Sequence, residues 1–133
     1  MADVQRVAAI QRLACTVARK VYESLGWGWR EEVYREAMAQ ELCALGVDAR
    51  CEVALPVIYK GRPLSHVSVR MDMLLDGAVV IELKAVARLS ARAGRQCRRY
   101  IDNCAGVRAG VAINFPDAPK REIEVALQTG SRS

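Results

Sequence analysis

The sequence predicts a single domain of the α/β (α+β) class, with its elements in the order ααβββαββ, over residues 1–128. Two observations predict it. The spacing of apolar residues changes from three-and-four steps to alternation just after Gly46, and a helical stretch then separates the third extended run from the last two. The length of 133 residues sets the scale, enough for one core and too short for two.

From Asp3 to Leu25, residues Val4, Val7, Ala8, Ala14, Val17, Ala18, Val21 and Leu25 form the stripe of an amphipathic helix. Gly26-Trp27-Gly28 breaks it, because two glycines so close free the backbone to turn, and a second helix spans about Arg30 to Leu45. Trp27 and Trp29 at this break are expected to be a packed corner, with stacking on bases as the other reading.

Val47 to Tyr59 is extended, with Pro56 marking an edge position or a bulge, and Lys60 to Pro63 is a turn. Leu64 to Leu75 is the hairpin partner. Val79 to Ala85 is a short, almost wholly apolar strand suited to a sheet interior. Ser90 caps a third helix running to about Cys104. Val107 to Phe115 and Arg121 to Leu127 are the last strands, and 129–133 a loose tail.

A net charge of +5 and a pI near 9.2 favour polyanionic partners, nucleic acid among them. Cys15, Cys43, Cys51, Cys97 and Cys104 are odd in number and contain no CxxC pair, which argues against a disulfide framework and against a closed zinc or iron–sulfur site. The first helix is too interrupted by arginines for a signal segment, and no apolar run is long enough for a bilayer. A soluble cytoplasmic protein without a membrane partner is expected. No G-x-S-x-G, P-loop or dinucleotide fingerprint is present, so no small-molecule cofactor is expected either.

The charges inside the apolar strand carry the chemistry. Residues two apart on a strand share a face, so Glu82 and Lys84 project together while Leu83 points away. Burying both without a partner is costly, and a cation or polar site resolves that cost. For Asp72 to join them, the hairpin needs a connection of three residues, Asp76 to Ala78, or a bulge; a two-residue turn would send the acids to opposite faces. Two facing carboxylates repel, and a hard divalent ion such as Mg²⁺ or Mn²⁺ relieves that repulsion. The plainer reading is a pair of surface ion pairs, Asp72 with Arg70 and Glu82 with Lys84.

Three further groups belong to the candidate site. Glu31, Tyr34 and Arg35 are three and four residues apart and so are expected on one face of the second helix, where Glu31 would complete a metal site from the side or, more plainly, complement the helix dipole. Gln96 and Tyr100 share a face of the third helix and would orient a nucleotide, the water or Lys84. Arg92, Arg95 and Arg99 line a neighbouring stripe suited to phosphates.

In this order, the motifs resemble the small GxxExxY proteins of the PD-(D/E)XK nuclease superfamily. Gly28, Glu31 and Tyr34 match the naming motif and Asp72, Glu82 and Lys84 the core. Gln96 and Tyr100 match the Gln-x-x-x-Tyr of RecB-like exonucleases, and Ile113-Asn114-Phe115 the strand that follows. The position before the first acid is Met71 rather than proline.

The resemblance implies a restriction-endonuclease-like mixed sheet flanked by helices, with Glu31, Asp72 and Glu82 as metal ligands. It also implies the Lys84 amine at the phosphate, and Gln96 and Tyr100 in support. The expected activity is metal-dependent hydrolysis of DNA phosphodiesters by an activated water, in a DNA repair or recombination setting. Paired cuts would require a homodimer. The alternative is a catalytically weak module of the same fold that binds nucleic acid or a protein partner.

Overall fold

The computed structural model describes residues 2–130. Helices α1 (Ala2–Leu25) and α2 (Glu31–Ala44) precede strands β1 (Ala49–Tyr59), β2 (Arg62–Leu75) and β3 (Val79–Lys84). Helix α3 (Ala91–Asn103) and strands β4 (Ala109–Asn114) and β5 (Glu124–Thr129) complete the order ααβββαββ, as the sequence predicts. Among the described residues no helix is long and apolar enough to cross a membrane.

The strands form one mixed sheet in the order β1-β2-β3-β4-β5. Only β3 and β4 run parallel. A parallel pair needs a long crossover, and α3 supplies it. The sheet is therefore covered on both faces. Met73, Leu75, Val79, Ile81, Leu83, Val111 and Ile113 pack with α1 and α2, while Leu74, Val80 and Ala112 pack with α3. With both faces covered, β3 and β4 read as unbroken apolar runs.

Gln11, buried on α1, ties that helix to the sheet by donating to the Gly110 and Gln128 carbonyls, each at 3.0 Å. On the opposite face α3 sits unusually close. A methyl group at Gly110 would lie 2.9 Å from both Cys97 Cβ and a Val80 methyl carbon.

The β2–β3 connection has the three residues the site requires: Leu75 pairs with Val79, and the Ala78 N–H donates to the Leu75 carbonyl at 2.9 Å. The paired ladder runs from there to Met73 opposite Ile81 and stops. Beyond that point β2 turns over. Met73 packs on the α1/α2 side, whereas Met71, two residues earlier, packs against α3. Glu52, across from Asp72 in the β1–β2 register, adopts a left-handed conformation with φ of +52°, the local kink that accompanies the change of face. Pro56 lies on an edge strand beside a register shift, so both of its readings hold.

Element ends move by one to three residues from the sequence reading. Strand β5 starts at Glu124 and continues to Thr129, so the tail expected from 129 begins later, and 131–133 lie outside the described residues. Ser90 occupies the N-cap position of α3, but its hydroxyl makes no capping hydrogen bond. All five cysteines are free thiols, as expected.

Candidate metal and phosphodiester site

Where β2 and β3 part, the Asp72 side chain replaces the lost ladder: its Oδ2 accepts the Leu83 N–H at 2.7 Å. This holds the carboxylate against β3 beside Glu82, which shares the α3 face of that strand. Glu82 is only 7% exposed, and its Oε1 has no hydrogen-bond partner. Burial, then the charge and hydrogen bonding of Asp72, push its carboxyl up to about 8. The two acids thus sit together, as the three-residue connection implies.

The plainer ion-pair reading does not hold. Arg70 is paired with Glu52 at 3.9 Å, and among the described residues Asp72, Glu82 and Lys84 enter no ion pair. Lys84, half-buried at the end of β3, lines a cleft of about 240 Å³ with Glu82, Ser90, Arg92, Ala93 and Gln96. The chain leaving Lys84 is fixed by Asn114, which accepts the Val86 N–H at 2.9 Å and donates to the Val86 carbonyl at 3.0 Å. The same amide donates to Glu124 Oε1, which also accepts the Leu89 N–H. Asn114 is fully buried, and the motif reading gave it no role; a polar residue ending an apolar strand was the available signal.

From the α3 side, Gln96 donates to the Tyr100 hydroxyl at 2.5 Å, and that hydroxyl donates to the Arg70 carbonyl at 3.2 Å. Burial and the Glu82 charge push the Tyr100 phenol up to about 12, so it keeps its proton and acts as a brace for Gln96 rather than a base. Cys97 also faces the acids. Burial, with the Glu82 charge added, pushes its thiol up to about 12, which leaves it an inert packing group. Nothing in its spacing marked it.

Glu31 arrives from α2. Gly28 takes φ of +98°, open to glycine, and Tyr34 pins the loop by donating to the Gly26 carbonyl at 2.7 Å and accepting the Trp29 N–H at 3.3 Å. The Tyr34 ring is buried, stacked on Phe115 at 4.2 Å. The expectation of one shared face fails here: Tyr34 faces the core, while Glu31, three residues earlier at the very start of the helix, is exposed. Partial burial and the Asp72 charge raise the Glu31 carboxyl, with Lys84 and Arg35 opposing.

The charge of Asp72 thus reaches Glu31, but the three acids do not form one cluster. Among the described residues no three His, Cys, Asp or Glu side chains lie close enough together to hold a metal ion. The acids brought together are Asp72 and Glu82, with Glu31 set to one side. Their oxygen-only character suits a hard divalent cation, and the orphaned Glu82 oxygen is the atom that such an ion would satisfy.

Arg92, Arg95 and Arg99 are exposed along α3 and enter no ion pair among the described residues, and of the three Arg92 reaches the cleft. The arginine of that helix that is tied down is Arg98, to Asp102 and to the Thr129 carbonyl. The expectation of a packed tryptophan corner fails: Trp27 is 52% and Trp29 49% exposed. Arg35, largely buried on α2, has an Nε without a partner.

A family model described as the PD-(D/E)XK nuclease superfamily matches residues 8–126 of the chain. No curated protein matches it. Among solved structures, the crystal structure of SSO0001 superposes with a TM-score of 0.53 at 15% identity, over 77% of this chain and 50% of that one. The chain thus spans half the length of that protein, and the likeness is one of fold, consistent with a restriction-endonuclease-like mixed sheet.

Proposed function

We propose a function from one premise: the chain belongs to the PD-(D/E)XK nuclease superfamily. The reading is a Mg²⁺- or Mn²⁺-dependent phosphodiesterase that hydrolyses DNA with water, in the cytoplasm. The observation that carries it is Glu82, a buried acid facing Asp72 with one oxygen unpartnered and, among the described residues, no cation paired to either acid. Ionised acids buried together for structure alone are ordinarily paired with a counter-charge, and here the proton that Glu82 retains is what a bound cation would displace.

In this reading Asp72 and Glu82 hold the ion by their carboxylate oxygens, and Glu31 contributes from the flank. When bound, the ion supplies positive charge against the phosphate and lowers the pKa of a coordinated water. Lys84, on the same face of β3 as Glu82, presents its ammonium to the phosphate oxygens as negative charge grows there. Gln96, held by Tyr100, orients the attacking water or the nucleotide, and Arg92 steadies a neighbouring phosphate. Gly28, Glu31 and Tyr34 support placement within the GxxExxY proteins, with Tyr34 as the residue that sets the Glu31 loop.

The test is a panel of linear, nicked, single-stranded and branched DNA incubated with Mg²⁺, Mn²⁺ or EDTA. Products should form only with metal, and purified Lys84→Ala protein should give almost none; undiminished cutting by that variant ends the proposal. One observation favours a second reading, a binding module with little turnover: Glu31 stands apart from the acid pair. DNA retained in EDTA with no products in Mn²⁺ selects it.

A further inference from the structure

Two tryptophans, the only ones in the chain, stand half-exposed on the loop that delivers Glu31. Exposure of this degree is uncommon for so large an apolar side chain. Trp29 is also held in place. Its indole Nε1–H donates to the Leu25 carbonyl at 2.9 Å, and its backbone N–H donates to the Tyr34 hydroxyl, so side chain and backbone are both fixed while a broad ring surface stays open.

That surface lies on a cleft of about 550 Å³ lined by Trp29, Arg30, Glu31, Arg35, Ala85 and Asp117, together with Gly28 and Glu32. The cleft adjoins the candidate site through Glu31, whose carboxyl feels the charges of Asp72 and Lys84, and through Ala85, the residue after Lys84. Glu32 is neutralised by Arg30 at 2.5 Å, and Arg35, paired at long range with Glu52 at 3.9 Å, brings a second, largely buried guanidinium to the cleft wall. A fixed indole beside a guanidinium is the combination that receives an unstacked base and its phosphate. Bases inside a duplex are stacked on one another and offer no free ring face.

We propose that Trp29, with Trp27 beside it, is a stacking platform for an unpaired base of the strand in the candidate site, so that the preferred substrate is single-stranded DNA or an unpaired end. This rests on the nuclease reading for the position of the strand. A protein ligand for the same patch is the competing occupant.

The two tryptophans make the test direct, because emission excited selectively from tryptophan reports this loop alone. The full chain is titrated in EDTA with three fluorescently labelled probes: an oligothymidylate, an abasic tract of the same length, and a duplex closed at both ends by abasic loops. Label anisotropy and tryptophan emission are followed together. Oligothymidylate should quench the emission and bind about tenfold more tightly than the abasic tract. Trp29→Leu should remove that advantage, and Trp29→Phe should keep most of it.

Equal binding of the abasic tract, tighter binding of the closed duplex, binding without quenching, or no DNA binding at all overturns the platform. Cleavage is scored separately with Mn²⁺. Quenching without products leaves the platform standing and removes the nuclease reading; products without quenching do the reverse.

Discussion

Two aspartates on one hairpin, Asp72 and Asp76, receive opposite treatment. Asp76, at the turn, is fully satisfied: Arg6 donates to its Oδ2 at 2.6 Å and the Asp48 N–H to its Oδ1 at 2.9 Å. Those bonds hold its carboxyl below the usual range. Asp72, one helical-turn's worth of sequence away at the other end of the ladder, has a buried acid for a neighbour and no cation. The same residue type is locked by a counter-charge at the turn, while at the other end it is held by the Leu83 N–H beside a second acid, which is what the proposed metal site requires.

The comparison is sharpest in activity. Lys84→Ala or Glu82→Gln should lower metal-dependent cleavage by about 100-fold or more, in line with the loss of a well-aimed charge stabiliser. Asp76→Asn, measured in the same gel assay, should leave turnover nearly unchanged. A large loss from Asp76→Asn would erase the distinction.

Stability should respond in the opposite sense, and pH gives the sign. The Glu82 carboxyl is raised from 4.5 to about 8, so the folded state binds its proton more tightly than the unfolded chain does. Metal-free protein should therefore lose stability as pH rises through that window, and Glu82→Gln should flatten the loss. At the alkaline end, Mn²⁺ at about 100 times its dissociation constant should restore about 2.7 kcal/mol in the wild type and little in the variant, read as a rise in Tm.

Tyr34→Phe removes both hydrogen bonds to the Glu31 loop, at a cost of about 1–3 kcal/mol in urea melts. The smallest effect belongs to Asp76. Its contribution is present above the ordinary carboxylate pKa of 3.8 and lost as pH falls below it. Because Arg6 is mostly exposed, Asp76→Asn should cost only about 1 kcal/mol at neutral pH.

The half of the site built on strand parity was legible from the residues. A three-residue connection puts Asp72 and Glu82 together, and the structure has that connection. Parity could not show that β2 changes face at Asp72, because the kink arises at Glu52 on another strand. Neither could it place Glu31, whose distance from the acids depends on how Gly28 and Tyr34 bend the interhelical loop. Asn114 and Cys97 act through space, across 28 residues to Val86 and from a helix to a strand, so local spacing carried no trace of them. The tryptophans misled for a related reason: composition favours burial, and exposure is decided by the loop's path.

Gly110 sets the height of the chamber roof. Its bare α-carbon allows α3 to settle against β3 and β4 at Cys97, one residue beyond Gln96. A single added methyl at 110 would jack that helix outward and carry Gln96 and Tyr100 with it. The dimensions of the candidate cleft are thus written on the strand next to the acid-bearing hairpin, opposite Val80, at a position that bears no functional group.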